Sequence, residues 1–476
     1  PLFRQACQEA GLNPFLFEFV NIRDQCSWVH QKNRKGGTKK AKDLLRMGVA
    51  RSRQLHPQEE IAVEVIPVSL IIGGGIAGIS AALSLARCGF RVKLVEKEDQ
   101  LGGLLRGLYR LHDGLALASD VLDPKLTDLQ NHPGIDVYTG AQVAEVQGSI
   151  GKYQIKLDSG VQLEVGTVVV ATGAQPWRPV GRYGYDGRQV ITQWELEEKL
   201  QEGSLEASSV VMIQCVGARE EGRPYCSKIC CSTAIKNALL VKEASPNSQV
   251  YILYRDIQTY GADFEDEYAR ARQQGIVFLQ YDPKNPPSVQ GGSVTFFCDV
   301  LGEDLEVPCD LLVLSTPLAP PEGSEELAKL LKVPRDGGGF FFEAHAKLRP
   351  VEFATDGVYL CGAARWPAFV GESVFQAEAA ASRAAIPLTN RLVQVEPIVA
   401  TVDQEVCRGC GRCAEVCPYQ AHELEEISAG LAVTRINQVL CKGCGVCTVE
   451  CPSGAITAQH YTDEQIEAML VVLGEE

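Results

Sequence analysis

The apolar residues of this chain form two copies of a strand–helix–strand pattern, separated by more than one hundred residues. Short β-branched runs that alternate with helical stretches are typical of parallel sheets in α/β proteins. The copies comprise, in order, Val68–Ile72, a helix ending at Cys88 and Arg91–Val95, then Val210–Gln214, a helix after Cys231 and Val250–Tyr254. The pattern therefore predicts two sheets of one kind.

A glycine-rich turn joins the first strand of the first copy to its helix. Gly73, Gly75 and Gly78 form a Gly-x-Gly-x-x-Gly pattern, and Glu96 ends the second strand. Such glycines let the backbone approach a pyrophosphate at a helix N-terminus, and the carboxylate can bind both ribose hydroxyls. In this context the pattern predicts a dinucleotide site, although it does not separate FAD from NAD.

The equivalent turn of the second copy lacks this pattern. Its strand runs into Cys215, Val216 and Gly217, without the triple glycine. Close backbone approach to a second pyrophosphate is therefore not provided. This argues against direct NAD(P)H binding, and so against a self-contained NAD(P)H-dependent flavin and iron–sulfur reductase as the alternative function.

Eight of the 18 cysteines form two copies of the run Cys-x2-Cys-x2-Cys-x3-Cys-Pro. This spacing is typical of bacterial ferredoxins with two [4Fe–4S] clusters, in which the fourth cysteine of each run binds the other cluster. The duplication disfavours a pair of zinc sites. The expected ligand sets are Cys407, Cys410, Cys413 and Cys451 for one cluster and Cys441, Cys444, Cys447 and Cys417 for the other.

A second cysteine group lies in the second copy of the strand–helix–strand pattern. It contains Cys215, Cys226, Cys230 and Cys231. Adjacent cysteines can both be ligands where the chain turns into a helix, whose N-terminus favours thiolates. The spacing leaves two interpretations open: four ligands of one cluster, or a redox-active pair beside buried thiols.

Other cysteines stand alone in the sequence. Cys88, Cys309 and Cys361 lie in or beside apolar segments, so we expect buried thiols there. Cys26 has polar and aromatic neighbours, which suggest a ligand or an interface residue, but one cysteine cannot build a cluster.

Charge and composition exclude several classes of protein. A net charge of −15 argues against a nucleic-acid partner, because binding phosphates needs a basic surface. The cysteines are clustered at metal-ligand spacing rather than scattered as in a disulfide framework, which favours a reducing cytoplasm over an oxidising compartment. No run of about 18 apolar residues is long enough to span a bilayer, so no direct membrane span is expected.

Together the motifs resemble known families. Leu101–Leu104, Val170–Gly173 and Thr355–Gly362 accompany the first glycine motif as in thioredoxin-reductase-like flavoproteins. With the double ferredoxin run, the stretches Phe19–His30 and Tyr225–Cys231 make essentially the whole chain resemble the A subunit of heterodisulfide reductase and its relatives.

The resemblance implies a fold and a set of cofactors. The fold is α/β, a two-dinucleotide-binding-domain-like (thioredoxin reductase-like) flavoprotein core plus an α+β bacterial-type ferredoxin domain. It implies FAD on the first glycine motif, two [4Fe–4S] clusters in the ferredoxin domain and one further [4Fe–4S] cluster on the core cysteines. The chemistry is expected at the FAD, with no catalytic side chain assigned. The implied FAD contacts are Gly73, Gly75, Ile76, Ala77, Gly78, Glu96, Lys97, Gly102, Gly103, Leu104, Val143, Ala171, Thr172, Gly173, Gly362, Ala363, Ser373 and Val374.

The resemblance also implies a role as an electron-transfer hub, including electron bifurcation, within a larger redox complex. Expected partners are heterodisulfide reductase B- and C-like subunits, a hydrogenase-, formate- or NADH-linked electron donor and ferredoxin, with a homodimer inside the complex. The equivalent subunit of a sulfur- or sulfate-respiration complex or of an aromatic-acyl-CoA reductase is an open alternative. The intact glycine motif argues against a non-catalytic scaffold.

The chain is expected to hold fewer clusters than some relatives, because no further ferredoxin run is inserted. Four regions follow from these interpretations. The regions are 1–60, the C-terminal part of an N-terminal α/β domain whose start is missing; 61–208 with 310–396, the FAD-binding domain; 209–309, a degenerate second dinucleotide-type domain with iron–sulfur cysteines; and 397–476, the two-cluster ferredoxin domain with a C-terminal helix.

Overall fold

The computed structural model describes residues 2–112, 116–298, 300–428 and 431–474. The chain divides into two compact units, one of residues 64–391 and one that joins residues up to Val63 with those from Leu392 onward. The sequence division treated 1–60 and 397–476 as separate regions, whereas the structure places both in one unit. No described helix is long and apolar enough to cross a membrane.

The secondary structure follows the apolar pattern along both units. The helices are α1 (Leu2–Glu9), α2 (Arg34–Ser52), α3 (Ile76–Arg87), α4 (Ala118–Asn131), α5 (Gln193–Glu202), α6 (Ile229–Ala244), α7 (Ala262–Gln273), α8 (Ser324–Leu331), α9 (Val370–Asn390), α10 (Arg412–Val416), α11 (Val446–Glu450) and α12 (Asp463–Val471). Short 3-10 turns lie at Pro14–Leu16, Gly103–Gly107 and Gly362–Ala364, and a π-helical turn at Arg23–Trp28.

The strands supply two large parallel sheets and several small ones. They are β1 (Ile61–Glu64), β2 (Val68–Ile72), β3 (Arg91–Val95), β4 (Ile135–Tyr138), β5 (Val143–Ser149), β6 (Lys152–Leu157), β7 (Gln162–Val165), β8 (Thr167–Val170), β9 (Gln175–Pro176), β10 (Val190–Thr192), β11 (Ser209–Ile213), β12 (Gln249–Tyr254), β13 (Val277–Gln280), β14 (Ser288–Gln290), β15 (Ser293–Cys298), β16 (Glu303–Pro308), β17 (Leu311–Leu314), β18 (Leu318–Ala319), β19 (Val358–Leu360), β20 (Leu392–Val395), β21 (Ala400–Val402), β22 (His422–Ser428), β23 (Leu431–Ile436) and β24 (Ile456–Ala458).

The unit of residues 64–391 contains two five-stranded parallel sheets of the same design. The first has the order β19-β8-β2-β3-β4 and the second β10-β17-β11-β12-β13. The central strands β2 and β11 are each followed by a helix, α3 and α6, and are buried on both faces, as strands covered by helices must be. The paired α/β sheets predicted from the apolar pattern are therefore present.

In each half, the chain forms a small antiparallel sheet and then adds a further strand to the large sheet. β5-β6-β7 precedes β8, and β14-β15-β16 precedes β17. Strand β6 alternates exposed and buried residues, as expected for a sheet with one face in solvent. The repetition extends the similarity of the two halves beyond the parallel strands.

The other unit joins the N-terminal segment to the cysteine-rich module. Helix α12, capped by Thr462, packs on α2. The Gln465 amide donates to the Gln54 carbonyl at 2.9 Å, and the Arg51 guanidinium lies 4.5 Å from the centre of the Tyr461 ring. These contacts explain why two segments far apart in sequence form one unit.

Candidate functional site

The first strand–helix turn forms a cradle that only glycine can build. A Cβ on Gly78 would lie 1.8 Å from the Gly73 carbonyl oxygen, and Gly73 itself has a φ of 109°. By contrast, nothing lies within 4 Å of the position a Cβ would take on Gly75. The loop is therefore tight on its inner side and open on the side where a pyrophosphate would approach.

A cavity of about 240 Å³ continues from this cradle. Its lining includes Glu96, Lys97, Val143 and Thr172. Glu96 is 7% exposed, and its carboxylate accepts hydrogen bonds from the Gly74 N–H at 2.5 Å and the Glu98 N–H at 2.9 Å. The structure thus places these sequence-predicted contacts around one space large enough for part of a nucleotide.

Unpartnered polar atoms support a ligand in this place. The buried hydroxyl of Thr172 has no hydrogen-bond partner among the described residues. Such a group is costly to leave unpaired in a folded protein, and a bound cofactor would satisfy it. The cradle and this hydroxyl both fit the FAD that the family resemblance implies.

The Gly102-Gly103 turn and the start of α9 close the cradle. The Gly102 N–H donates to the Gly74 carbonyl at 2.8 Å. On the other side, a Cβ on Gly362 would lie 2.7 Å from the Ala77 Cβ, and Ser373 in the first turns of α9 is buried. Of the remaining predicted contacts, Ile76 opens α3, Ala171 and Gly173 follow β8, Val374 lies in α9, and Leu104 and Ala363 pack against a common apolar cluster.

In the second sheet, the equivalent turn is filled by cysteines. Cys215 follows β11 with a φ of 62°, and α6 begins at Ile229, so Cys230 and Cys231 occupy its first turn. The sequence pattern predicts this helix only after Cys231. The helix begins two residues before Cys231, which puts both cysteines in the first turn, whose backbone N–H groups have no partner within the helix.

The four core cysteines are close enough to influence one another electrostatically. Burial raises the pKa of the Cys230 thiol far above its ordinary range, and three neighbouring thiols, of Cys231, Cys215 and Cys226, raise it further. Burial also raises the pKa of Cys231, to about 12. The donor set therefore fits a bound iron cluster, which would take these cysteines as thiolates.

Positive and polar groups surround these thiols. Burial raises the pKa of the Cys215 thiol, and the positive charges of Arg255 and Arg219 act against that rise. The Arg219 guanidinium is paired with Asp256 at 2.5 Å. Beside the cysteines, the buried polar atoms of Gln214 and Ser232 have no hydrogen-bond partner among the described residues. Both observations fit a bound anionic group, because cations and polar groups would stabilise it.

The space of a second nucleotide is closed by an aromatic ring. A Cβ on Gly217 would lie 2.2 Å from the Trp177 ring, and the Arg223 guanidinium stacks on that ring at 4.2 Å. The Arg223 side chain also donates to the Gly217 carbonyl at 2.5 Å. The turn that would face a pyrophosphate is therefore occupied by protein.

A buried ion pair that the sequence motifs do not predict lies beside the core cysteines. Lys236 and Glu197 pair with side chains 2% and 1% exposed, and the Lys236 ammonium also donates to the Arg110 carbonyl at 2.8 Å. They line a cavity of about 80 Å³ together with Cys230. A lysine among the apolar residues of α6 was the available signal, because buried lysines need a partner.

The ferredoxin module repeats one loop geometry twice. Gly409 and Gly443 have φ values of 60° and 61°, and a Cβ on either would lie 2.3 Å from a backbone carbonyl. Each run then enters a five-residue helix, α10 or α11, capped by a glycine with a φ of 77°. Both loops therefore require glycine where the sequence has it.

The fourth cysteine of the first run lies with the second run. The pKa of the Cys447 thiol is raised to about 11 by burial and by three neighbouring thiols, which are those of Cys441, Cys417 and Cys444. This grouping is the one that exchange of the fourth ligand requires. Backbone N–H groups approach the sulfurs, Thr434 to Cys407 at 3.4 Å and Ala421 to Cys417 at 3.4 Å.

Isolated cysteines have other environments. Cys26 is 2% exposed, and its thiol donates to the Gly37 carbonyl at 2.9 Å. Cys309 and Cys361 are buried, as predicted, but Cys88 is exposed because it caps the end of α3. Within the described ranges, no three His, Cys, Asp or Glu side chains could hold a single metal ion, whereas a cubane takes one cysteine per iron.

Comparison with known proteins agrees with this arrangement. Residues 69–213 match the family described as pyridine nucleotide-disulphide oxidoreductase, and residues 406–455 match the 4Fe-4S dicluster domain. These matches confirm the expected fold classes of the core and the ferredoxin module.

Several relatives share about a third of their residues with this chain. The A subunit of the H(2):CoB-CoM heterodisulfide,ferredoxin reductase of Methanothermobacter thermautotrophicus is 37% identical, covering 91% of this chain and 81% of its own. One of the iron-sulfur A subunits of the CoB--CoM heterodisulfide reductase of Methanopyrus kandleri is 36% identical over 100% of this chain and 87% of its own. The A subunit of the H(2)/formate:CoB-CoM heterodisulfide,ferredoxin reductase of Methanococcus maripaludis is 34% identical, covering 99% and 86%. The chain is an FAD- and [4Fe–4S]-containing oxidoreductase that belongs to the A-subunit family of heterodisulfide reductases.

Proposed function

We propose that this chain is the electron-transfer hub of a heterodisulfide-reductase-like complex, with one FAD and three [4Fe–4S] clusters. The observation that carries the proposal is the filling of the second nucleotide turn by Cys215, Cys230 and Cys231. A core of this design would bind a nicotinamide nucleotide there. Four mutually close thiols in its place make this half an electron relay.

The chain's own residues divide the work between the two sheets. Gly73, Gly75 and Gly78 shape the pyrophosphate cradle, and Glu96 fixes its loop through two backbone N–H groups. When bound, the FAD would supply the exchange between two-electron and one-electron chemistry, and the clusters would carry single electrons. Cys231 is buried and the other three core cysteines are half-buried, which limits the access of water to the second site.

The third cluster is tested by counting metals. After anaerobic purification, we expect about one FAD and about twelve irons with equal acid-labile sulfide per chain, since each cubane holds four irons. About eight irons would mean that the core cysteines hold no cluster. That result would remove the relay from this half of the molecule.

The proposal also includes partner subunits and electron bifurcation. The names of the relatives mention hydrogen, formate, ferredoxin and the CoB-CoM heterodisulfide. We infer that this chain works with B- and C-like subunits. Over two turnovers, two molecules of a two-electron donor such as hydrogen or formate would supply two electrons to low-potential ferredoxin and two electrons to one disulfide. In the assembled complex, ferredoxin reduction should require the disulfide. Equal ferredoxin reduction without the disulfide would contradict coupling.

The rival function, NAD(P)H oxidation, would need space at the second turn that described side chains occupy. Trp177 and Arg223 fill the space over Gly217. The isolated holoprotein should therefore oxidise neither NADH nor NADPH with an artificial acceptor. Turnover with either nucleotide would favour the reductase over the hub.

A further inference from the structure

A strained turn lies between two of the core cysteines. Lys228 has φ 63° and ψ −48°, and the Ile229 N–H donates to the Ser227 carbonyl at 2.6 Å, two residues back. A γ-turn with positive φ at its centre is rare and strained. Glycine would adopt it with less strain, so a lysine at this position indicates a use for its side chain.

The turn contacts the cysteines through its backbone. The Lys228 N–H donates to the Cys226 sulfur at 3.3 Å. Ser227 is buried, and its hydroxyl accepts from the Leu318 N–H at 2.9 Å. Hydrogen bonds to ligand sulfurs influence cluster potentials, so the conformation of this turn affects the cluster directly.

The Lys228 side chain leaves the turn and forms an ion pair that is sheltered on the lysine side. Its ammonium contacts the Glu372 carboxylate, with 2.6 Å to Oε2, and the lysine and glutamate side chains are 20% and 41% exposed. The rings of Phe369 and Tyr260 lie 5.3 and 5.6 Å from the ammonium. Aromatic faces favour a cation at such distances, and partial shelter makes this pair stronger than a surface pair.

Glu372 lies where the flavin cradle is closed. It is in the first turn of α9, and its Oε2 also accepts from the Phe369 N–H at 2.9 Å. The next residue, Ser373, is buried beside Gly362. One carboxylate therefore caps the helix that borders the flavin site and binds the lysine of the cysteine loop.

We propose that Lys228 is a positioning residue for electron transfer between the FAD and the core cluster. Its ion pair holds the Cys226–Cys230 loop against α9 and so fixes both the hydrogen bond to the Cys226 sulfur and the separation of the two redox centres. The rate of electron tunnelling falls steeply with distance. Electrons would therefore pass more slowly between the two redox centres if the loop were released from α9. This inference rests on the proposed function, because it requires both cofactors.

The test compares four variants with the wild-type holoprotein. Lys228→Gly keeps the turn and removes the side chain, Glu372→Gln removes the charge of the partner, and Lys228→Arg keeps the pair. Lys156→Met is the matched control, since Lys156 forms an exposed pair with Glu145 at 2.6 Å. The readouts are iron and FAD content, the low-temperature EPR signal and potential of the core cluster, and the rate of flavin-to-cluster transfer after rapid reduction.

We expect Lys228→Gly and Glu372→Gln to keep full iron and FAD but to change the core-cluster EPR signal. Their flavin-to-cluster transfer should slow severalfold, because the rate of electron tunnelling falls exponentially with the distance between the two centres. Lys228→Arg should restore the wild-type signal and rate, and Lys156→Met should change neither.

The outcomes separate this inference from the proposed function. About eight irons in the wild type would overturn the hub itself. With about twelve irons present, an unchanged EPR signal and rate in Lys228→Gly would overturn only the role of Lys228. Loss of about four irons in that variant would likewise overturn it, because the lysine would then be needed to form the site rather than to position it.

Discussion

The two parallel sheets of the core share one topology but differ in the residues of the turn that follows the central strand. In the first, the turn after β2 keeps Gly75 facing open space. In the second, the turn after β11 carries Cys215, and the ring of Trp177 covers Gly217. A few residues at the turn decide whether this fold holds a nucleotide or a group of thiols.

The comparison shows which property of the turn is retained. In both halves a helix N-terminus follows, α3 or α6, and its unpaired N–H groups favour negative charge. A pyrophosphate and a thiolate-ligated cluster are both anionic, so the same electrostatic feature suits both. What differs is the side chain at the turn: glycine permits close approach of a pyrophosphate, whereas a cysteine would itself bind the proposed cluster.

The largest expected effect is loss of FAD in Gly78→Ala. The added Cβ would lie 1.8 Å from the Gly73 carbonyl oxygen, so the cradle cannot keep its shape. We expect the purified variant to lack flavin, measured by the absorbance of flavin released on denaturation. Gly337→Ala is the matched control, because nothing lies within 4 Å of its added Cβ. Normal flavin content in Gly78→Ala would sink the assignment of this cradle.

Iron binding at the turn of the second sheet is tested by Cys231→Ser. This thiol is buried in the first turn of α6. The variant should lose about four irons per chain and keep the two ferredoxin clusters, because those use separate cysteines. Cys88→Ser, at an exposed position, should keep every iron. An intact iron count in Cys231→Ser would show that the second turn does not resemble the first in binding a cofactor.

A smaller effect is expected from Lys236→Met, beside the cavity next to Cys230. The change leaves the Glu197 carboxylate buried without its partner, and breaking a buried pair in this way costs about 3–5 kcal/mol. The midpoint of denaturant unfolding should fall, and the double variant with Glu197→Gln should recover most of the loss. Equal destabilisation by the exposed-pair variant Lys156→Met would contradict this account.

How much could be predicted from the sequence differs between these regions. Gly73, Gly75 and Gly78 with Glu96 predicted a cradle that the structure contains, because the demands on the backbone are local. The duplicated cysteine run predicted that Cys417 binds with the second run, and the structure groups its thiol with those of Cys441, Cys444 and Cys447.

The contacts that the sequence could not predict join distant segments. Trp177 over Gly217, Lys236 with Glu197 and Lys228 with Glu372 each depend on how separate elements pack. The pairing of α2 with α12 is of the same kind. Motif spacing reports only on neighbours in the chain, so it does not identify the partners in contacts that tertiary packing sets.

The smallest expected effect concerns the acid that supports the first cradle. Glu96→Gln keeps the shape of the side chain but removes its charge, which weakens the hydrogen bonds from the Gly74 and Glu98 N–H groups. Hydrogen bonds to charged groups contribute about 1.5–3 kcal/mol, so FAD affinity should fall roughly 10- to 100-fold, measured by titrating the apoprotein with FAD. Iron content should not change, since Glu96 lies in the first sheet and the core cysteines lie in the second. If iron fell together with FAD, the two turns would be one cooperative site rather than two independent uses of the same fold.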